Sequence, residues 1–319
     1  MGGLAKVILI FLIPILVVSI ALLSCGGGGE GSGVQTSTIH GTVASVTAMF
    51  SIRKEPSMLA RLGEFFSLLK TASAQGSGVA GIRVVAQENG KEVGEDITDS
   101  QGNFTLNVPS GNVTLVFTNF NASTMVVAPK GGTLIIIVTL QPNQVVVQDM
   151  EVQGTIRCET GNVSFAQTAI TINGGGGDCI SIQGNCSINI PGDITLTNCQ
   201  RCINAEGGAN MSLGIISCDA NEDGIETAGN AGVTISGKGI VTISAKGDGI
   251  SATGTSDISL SVDGEISIVG MQDGIKALGN SQITLSSVGQ CTVGGKNNPI
   301  HIEGNATVNT GSCTLALLP

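Results

Sequence analysis

The sequence predicts an all-β protein whose C-terminal half is a right-handed parallel β-helix, preceded by a smaller β-sandwich. Three observations support this fold class: a motif that returns at a fixed period, strand-like alternation inside each repeat, and many glycines without a helical pattern in the repeats. The predicted boundaries are residues 36–152 for the sandwich and 153–319 for the β-helix. The chain has 319 residues, so both parts are long enough to bury a core.

The repeating motif is D-x-I-x-x-x-G, which occurs six times between Asp178 and Asn305. Its central isoleucines are 23, 22, 25, 25 and 25 residues apart, and a period in this range is typical of a solenoid. Arg201 and Asn298 replace the aspartate in two copies. The isoleucines are Ile180, Ile203, Ile225, Ile250, Ile275 and Ile300.

Residues within each repeat alternate in the way that a strand requires. Ile250 and Ala252 are predicted to face the interior, and Ser251 and Thr253 to face the other side. Three short strands per repeat, with Gly, Asn and Asp at the corners, predict triangular coils that stack about 4.8 Å apart. Leucine-rich and ankyrin repeats are excluded, because they need a helix in each repeat.

The N-terminus predicts export. Lys6 precedes an apolar run from Val7 to Leu23, and Ser24-Cys25 follows, which is the pattern of a secretory signal peptide. The end of this run resembles the lipobox of bacterial lipoproteins. That resemblance implies removal of residues 1–24, lipidation of Cys25 and anchoring to a bacterial membrane, with an outer membrane or cell surface favoured. A single transmembrane anchor is the alternative. Residues 25–35 are predicted to be a flexible Gly/Ser linker.

Residues 36–152 contain seven predicted strands of a sandwich, interrupted by an amphipathic helix at 48–75. Thr98–Phe104 and Val108–Gly111 resemble the T-D-x-x-G-x-F and P-x-G signatures of carboxypeptidase regulatory-like, transthyretin-like domains. The resemblance implies a spacer or docking module without chemistry of its own. The helix is expected to cover the open side of the sandwich, and a membrane-surface helix is the alternative.

Eight cysteines lie between Cys158 and Cys313, and export would allow them to form disulfides. Equivalent positions in consecutive coils lie about 5 Å apart, which makes Cys179 and Cys202 candidate partners. Two further pairs are offset by about one coil, and free stacked thiols are the alternative. These pairs are Cys199 with Cys218 and Cys291 with Cys313.

Two function classes are excluded by composition. The net charge of −10 argues against a nucleic-acid partner, since phosphate binding needs a basic surface. His40 and His301 are the only histidines and fall in different predicted domains. A Ser-His-Asp or Cys-His catalytic arrangement is therefore not expected.

Stacking of the repeats should place acidic residues in a row along one corner of the solenoid. Two unit charges 4.8 Å apart repel by roughly 3 kcal/mol at an effective dielectric constant of 20, so such a row needs a cation or hydrogen-bond donors. Calcium prefers carboxylate and carbonyl oxygens, and the alternative is that each Asp accepts N–H bonds in its own turn. The predicted calcium ligands are Asp178, Asp223, Glu226, Asp248 and Asp273.

The segments Val233–Gly237 and Val241–Ile250 resemble the repeats of cell-surface β-helix proteins called carbohydrate-binding domain-containing proteins, which are similar in fold to pectate lyases. The resemblance covers about residues 178–305. It implies an association with calcium and with acidic plant polysaccharides such as polygalacturonate. Arg201 and Asn298 depart from the repeat towards its two ends.

The expected function is non-catalytic binding of a polysaccharide, with a polyuronate favoured, by a surface-anchored lipoprotein. The solenoid holds no aromatic residue except Phe165, so ionic and hydrogen-bonded contacts along a strand face are expected in place of ring stacking. The alternatives are a structural or adhesin rod, and a polysaccharide lyase that uses calcium and a basic residue. The candidate ligand-binding residues are Ser251, Lys246, Lys276 and His301.

Overall fold

The computed structural model of the protein describes residues 36–46, 78–141, 143–165 and 169–319. The predicted signal peptide with Cys25, the linker and the helical insert at 48–75 lie outside these residues. The described chain forms one continuous sheet of 21 strands and a second sheet of four. No helix in this part of the chain is long and apolar enough to cross a bilayer.

A single short 3₁₀ helix, Thr118–Phe120, accompanies the strands in the described residues. The strands are β1 Thr36–Val46, β2 Arg83–Glu88, β3 Lys91–Ile97, β4 Asn103–Pro109, β5 Gly111–Phe117, β6 Ala122–Ala128, β7 Thr133–Gln141, β8 Gln144–Gln153, β9 Ile156–Ser164, β10 Ala169–Asn173, β11 Ile180–Ile190, β12 Asp193–Cys199, β13 Ile203–Gly207, β14 Asn210–Leu213, β15 Ile216–Ala220, β16 Ile225–Gly229, β17 Gly232–Ala245, β18 Ile250–Ala252, β19 Asp257–Gly270, β20 Asp273–Gly279, β21 Gln282–Ser287, β22 Cys291–Gly295, β23 Asn298–Gly304, β24 Thr307–Asn309 and β25 Thr314–Leu317.

The N-terminal part is a β-sandwich, as predicted. One sheet of the sandwich has the order β4-β1-β7-β8, in which only β1 and β7 are parallel. The other sheet of the sandwich has the order β3-β2-β5-β6 and is antiparallel throughout. Alternating apolar residues of the two sheets fill one core, where the Phe104 and Phe117 rings meet edge to face with centroids 6.1 Å apart.

The sandwich contains one strand that the sequence analysis missed. β3 follows β2 through a two-residue turn at Asn89-Gly90, where φ is 50° and 79°. Positive φ at both central residues is the geometry of a type I′ hairpin, for which Asn-Gly is the preferred pair. The Asn-Gly dipeptide is therefore a local signal that would have located this strand.

Residues from β9 onwards form a β-solenoid of the right-handed type with about six turns. Each turn adds one parallel strand to each of the three faces of the solenoid, which are called its first, second and third sheets. The first sheet contains β13, β16, β18, β20 and β23 with the starts of β9 and β11. The second contains β14, β21 and β24 with the ends of β9 and β11 and the starts of β17 and β19. The third contains β10, β12, β15, β22 and β25 with the ends of β17 and β19.

The repeating isoleucines stack in the interior of the first sheet, as the period predicted. Ile180, Ile203, Ile225, Ile250 and Ile275 are fully buried, and each pairs in register with the next. Burying one such side chain contributes about 1.5–3 kcal/mol. The stack therefore fixes the register of every turn.

The glycine that ends each motif adopts a backbone conformation that is unfavourable for residues with a Cβ atom. φ lies between 66° and 79° at all six of these glycines, from Gly184 to Gly304. A Cβ added at Gly254 would lie 2.8 Å from the carbonyl oxygen of Gly229 in the turn before. Positive φ and close stacking together explain why the motif ends in glycine.

All six cysteines proposed as disulfide partners form disulfides, but two of the three proposed pairings are wrong. Cys291–Cys313 is bonded as predicted, with Cα atoms 4.4 Å apart. The chain winds almost once around the solenoid between Cys179 and Cys199, so these two buried residues meet across one corner. They form a bond in place of the stacked pair Cys179–Cys202. The observed bonds besides Cys291–Cys313 are Cys158–Cys186, Cys179–Cys199 and Cys202–Cys218.

The first turn of the solenoid is joined to the sandwich by main-chain pairing. β8 pairs with β7 of the sandwich and also with β10 of the solenoid. The side-chain amide of Asn112 in β5 donates a hydrogen bond of 3.2 Å to the backbone oxygen of Asn162 in β9. The sandwich therefore lies directly against the start of the solenoid.

Candidate functional site

Two columns of polar residues run along one edge of the first sheet. The acid column lies two residues before each stacked isoleucine and consists of Asp178, Arg201, Asp223, Asp248, Asp273 and Asn298. The companion column lies one residue after each isoleucine and consists of Ser181, Asn204, Glu226, Ser251, Lys276 and His301. The register of the isoleucines thus brings the four predicted aspartates into one row, whereas the predicted ligand Glu226 lies in the companion column.

The aspartates of the acid column accept hydrogen bonds from the turn that follows each of them. One carboxylate oxygen of Asp223 accepts the backbone N–H of Asp248 at 2.7 Å, and one oxygen of Asp248 accepts that of Asp273 at 3.0 Å. The amide of Asn298 continues the pattern by donating to Asp273 at 2.9 Å. Hydrogen bonding was the predicted alternative to calcium, but the donors lie in the next turn and not in the same one.

The companion column supplies a partner to the acid column on a diagonal, one turn further along. Lys276 Nζ lies 3.4 Å from an oxygen of Asp248, and the Nδ1 atom of His301 lies 3.0 Å from Asp273. Asp248 and Asp273 are 5% and 8% exposed, so their charges are held largely out of water. Removing Lys276, or the protonated form of His301, would leave a buried carboxylate without a counter-charge.

The same diagonal is kept with its charges reversed where arginine interrupts the acid column. Arg201 donates two hydrogen bonds of 2.9 Å to Asp178 in the turn before, and one of 2.6 Å to Glu226 in the turn after. An acidic residue therefore occupies the companion column at the one step where a basic residue occupies the acid column. The positive charge of Arg201 in the acid column is therefore balanced by the negative charge of Glu226 in the companion column.

Three groups in these columns have perturbed protonation equilibria. Hydrogen bonds to Asp178 and then to Glu226 raise the pKa of the Arg201 guanidinium above its ordinary value. Hydrogen bonds to Glu303 and to Asp273 raise the pKa of the His301 imidazole. Burial raises the pKa of the Asp223 carboxyl, and the nearby charges of Asp248 and Glu226 add to the effect.

The donor set of the acid column does not fit a calcium ion at Asp248 or Asp273. Each of these carboxylates accepts a hydrogen bond through one oxygen and faces a side chain that can carry positive charge with the other. The described residues hold no group of three or more His, Cys, Asp or Glu placed to bind a metal. The second oxygen of Asp223 is the part of the column that no described residue occupies.

The four predicted ligand-binding residues do not form an open binding surface. Ser251 is buried, with 6% of its surface exposed. Lys276 and His301 are held by Asp248 and Asp273, and Lys246 donates to the side-chain oxygen of Asn221 at 2.7 Å. Both lysines that the lyase alternative would use as a base are therefore already engaged.

A groove on the second sheet offers a more open surface, and the sequence analysis did not identify it. It has a volume of about 530 Å³ and crosses five turns, from β9 to β19. Its walls carry exposed hydroxyl and amide side chains at the outward positions of the strands. Those that project from the sheet include Asn162, Ser187, Asn189, Asn210, Ser212 and Thr234.

Several hydrogen-bonding groups in the groove have no partner among the described residues. The hydroxyl groups of Ser187, Ser212 and Thr234 make no hydrogen bond with another described residue. They alternate with buried apolar residues such as Ile188 and Ile235. The signal in the sequence is therefore a polar residue at every outward position of these strands, a pattern that also fits an ordinary solvated sheet.

Comparison with protein-family models, with curated proteins and with solved structures found no match to this chain. The families that the repeats and the sandwich resemble therefore remain interpretations of their motifs.

Proposed function

We propose that this protein binds a polysaccharide without cleaving it, and that the glycan lies along the groove of the second sheet. The observation that supports the proposal is a row of hydroxyl groups, repeated over successive turns, that make no hydrogen bond with any described residue. Five strands at about 4.8 Å give a path of roughly 19 Å. A surface of this kind suits an extended polymer that presents its own hydroxyl groups at regular intervals.

Hydrogen bonds would supply most of the binding free energy. Phe165, the one aromatic residue of the solenoid, is 3% exposed, so ring stacking against a sugar is not part of the proposal. Each hydrogen bond contributes about 0.5–1.5 kcal/mol net, and a polymer can form several of them along the groove. Affinity should therefore rise with the length of the glycan until the groove is filled.

The sequence resemblances give this proposal its cellular setting. A lipid on Cys25 would hold the protein at a bacterial membrane, and a sandwich of the carboxypeptidase regulatory-like kind would separate the solenoid from it. The resemblance to carbohydrate-binding β-helix proteins favours an acidic polysaccharide such as a polyuronate. Calcium dependence is implied by the same resemblance alone.

A rigid structural rod is the second candidate function. Four disulfides and the ion pairs of Arg201 and Lys276 stiffen the solenoid whether or not it binds a glycan. A rod would carry the same hydroxyl groups as an ordinary solvated surface and would bind no glycan through them. Binding measurements therefore separate the two candidates.

The test is titration of the purified chain with polygalacturonate and with a neutral β-glucan. Combined replacement of Ser187, Ser212 and Thr234 by alanine should weaken binding at least about tenfold, because three hydrogen bonds are lost. The matched control replaces Thr195, Ser217 and Thr242 by alanine. These are exposed hydroxyl residues in register on the third sheet, and their loss should leave binding unchanged.

Two results would overturn the proposal. Absence of binding to either polymer would leave the rod as the better explanation. Formation of a 4,5-unsaturated product, detected by its ultraviolet absorbance, would show that the protein is a lyase.

A further inference from the structure

The groove of the second sheet continues into a cleft between the solenoid and the sandwich. The cleft has a volume of about 350 Å³. The sandwich contributes residues of β5 and β6 and Lys130, which follows β6, and the solenoid contributes Arg157 to Val163 of β9. Asn162 and Val163 line both the groove and the cleft, so a ligand in the groove can extend into the cleft.

The cleft brings together two basic residues from different domains. Lys130 and Arg157 both line it and are exposed, and neither forms an ion pair with another described residue. Arg83, Arg201 and Lys276 are each paired with an acidic residue. Other described lysines, such as Lys91 and Lys238, also form no ion pair, but Lys130 and Arg157 are the two basic residues that line this cleft.

The remaining lining leaves this positive charge accessible. Glu159 is the one acidic residue that lines the cleft in the described chain, so the charge of the lining is positive by one unit. Gly111 and Gly161 also line the cleft, and a Cβ at either position would meet nothing within 4 Å. Their missing side chains keep those parts of the cleft open to a ligand.

We propose that the cleft is a carboxylate subsite, in which Lys130 and Arg157 bind the acid group of a uronic acid residue. The inference rests on the proposed function, since it assigns the end of the same groove. A guanidinium matches a carboxylate with two parallel hydrogen bonds, and an ammonium adds a point charge. The groove binds the hydroxyl groups of the glycan, and the cleft selects for its charge. The one acidic residue that lines the groove in the described chain, Asp257, lies at the β19 end, away from the cleft.

This arrangement has two consequences for recognition. The preference for an acidic polysaccharide comes from side chains of the protein and does not require calcium. The subsite lies at one end of the groove, so it also fixes the position of the glycan relative to the sandwich. Because Lys130 belongs to the sandwich, that domain takes part in recognition and is more than a spacer.

The test compares an oligogalacturonate with its carboxyl-reduced, neutral counterpart by calorimetric titration of the purified chain at low ionic strength. The wild-type chain should bind the acidic ligand about tenfold more tightly, as expected for two exposed ion pairs. Combined Lys130→Gln and Arg157→Gln substitution should abolish this preference and leave binding of the neutral ligand unchanged. The matched control, Lys91→Gln with Lys238→Gln, removes two exposed lysines that do not line the cleft and should keep the preference.

The outcomes separate this inference from the proposed function. If neither ligand binds to the wild-type chain, the proposed function fails and the subsite fails with it. If both ligands bind and the Lys130/Arg157 variant keeps the acidic preference, the groove stands and the subsite is overturned. If that variant loses both ligands equally while its circular dichroism is unchanged, the two residues do not act on charge, and the inference is again overturned.

Discussion

At the scale of single residues, the acid column is held together by partners of three kinds. Asp248 combines a backbone N–H donor with the ammonium of Lys276, Asp178 binds a guanidinium, and Asp273 faces an imidazole. The imidazole differs from the other two because its charge changes near neutral pH. His301 should therefore make the stability of the last turns depend on pH.

The direction of this dependence follows from the raised pKa of His301. The stabilisation by the protonated ring is fully present below the ordinary pKa of 6.5 and is lost as pH rises through the higher pKa of the folded state. We expect the temperature midpoint of unfolding to decrease as the pH is raised from about 6 to about 8. His301→Gln should remove this fall.

The other histidine provides the matched control. His40 lies in the sandwich, where its ring contacts the hydroxyl group of Thr105 at 3.0 Å. His40→Gln should keep the pH dependence of the wild-type chain. An unchanged midpoint in the wild-type chain over this range, or an equal effect of both substitutions, would contradict the assignment to His301.

At the scale of elements, the diagonal between the two columns determines which substitutions the solenoid tolerates. The pair Arg201 and Glu226 has the opposite polarity to the pair Asp248 and Lys276, which lies two turns further along. Arg201→Asp would restore the repeating aspartate but leave three acidic residues together. We expect it to lower the free energy of unfolding by about 2–4 kcal/mol, because Arg201 is mostly buried against two carboxylates.

A second substitution should recover part of this loss. Combining Arg201→Asp with Glu226→Lys gives this step the polarity that Asp248 and Lys276 already have. A double-mutant cycle followed by chemical denaturation should show that the two changes together cost less than the sum of their separate effects. Strict additivity would mean that the diagonal contact is not energetically coupled.

At the scale of the whole molecule, charge neutralisation by the protein's own side chains determines whether the solenoid needs calcium. An ion that binds only the folded state raises the free energy of unfolding, and the increase grows with the logarithm of the ratio of the ion concentration to its dissociation constant. Because Arg201, Lys276 and His301 already pair with every carboxylate of the columns except Asp223, we expect the same thermal midpoint, within about one degree, in EDTA and in millimolar calcium.

Asp223 is the position in the columns where a calcium ion would meet the least competition, and the substitution Asp223→Asn tests it. The substitution keeps an oxygen that can accept the N–H of Asp248 and removes a carboxyl whose pKa is raised by burial. It should therefore fold normally in both conditions. A midpoint that rises to saturation with calcium in the wild-type chain, and not in Asp223→Asn, would place an ion at Asp223 and restore the calcium hypothesis.

The all-β class, the turns of the solenoid and the rows of isoleucine and glycine could all be predicted from the amino-acid sequence. These features repeat along the chain, so they follow from local alternation and from a period that stacking must preserve. Asn89-Gly90 shows that one missed strand was also encoded locally. The sequence also placed Asp223, Asp248 and Asp273 in one row, since the register of Ile225, Ile250 and Ile275 fixes it.

The contacts of these residues could be seen only in the folded structure. The diagonal from Asp248 to Lys276, the bond from Cys179 to Cys199 and the cleft between Lys130 and Arg157 each join side chains from different turns or domains. Their contacts depend on the reach of each side chain and on how the chain closes around the core, and a linear period contains neither. The repeat therefore predicts a row of like charges, whereas in the folded protein most of these charges form ion pairs with side chains of neighbouring turns.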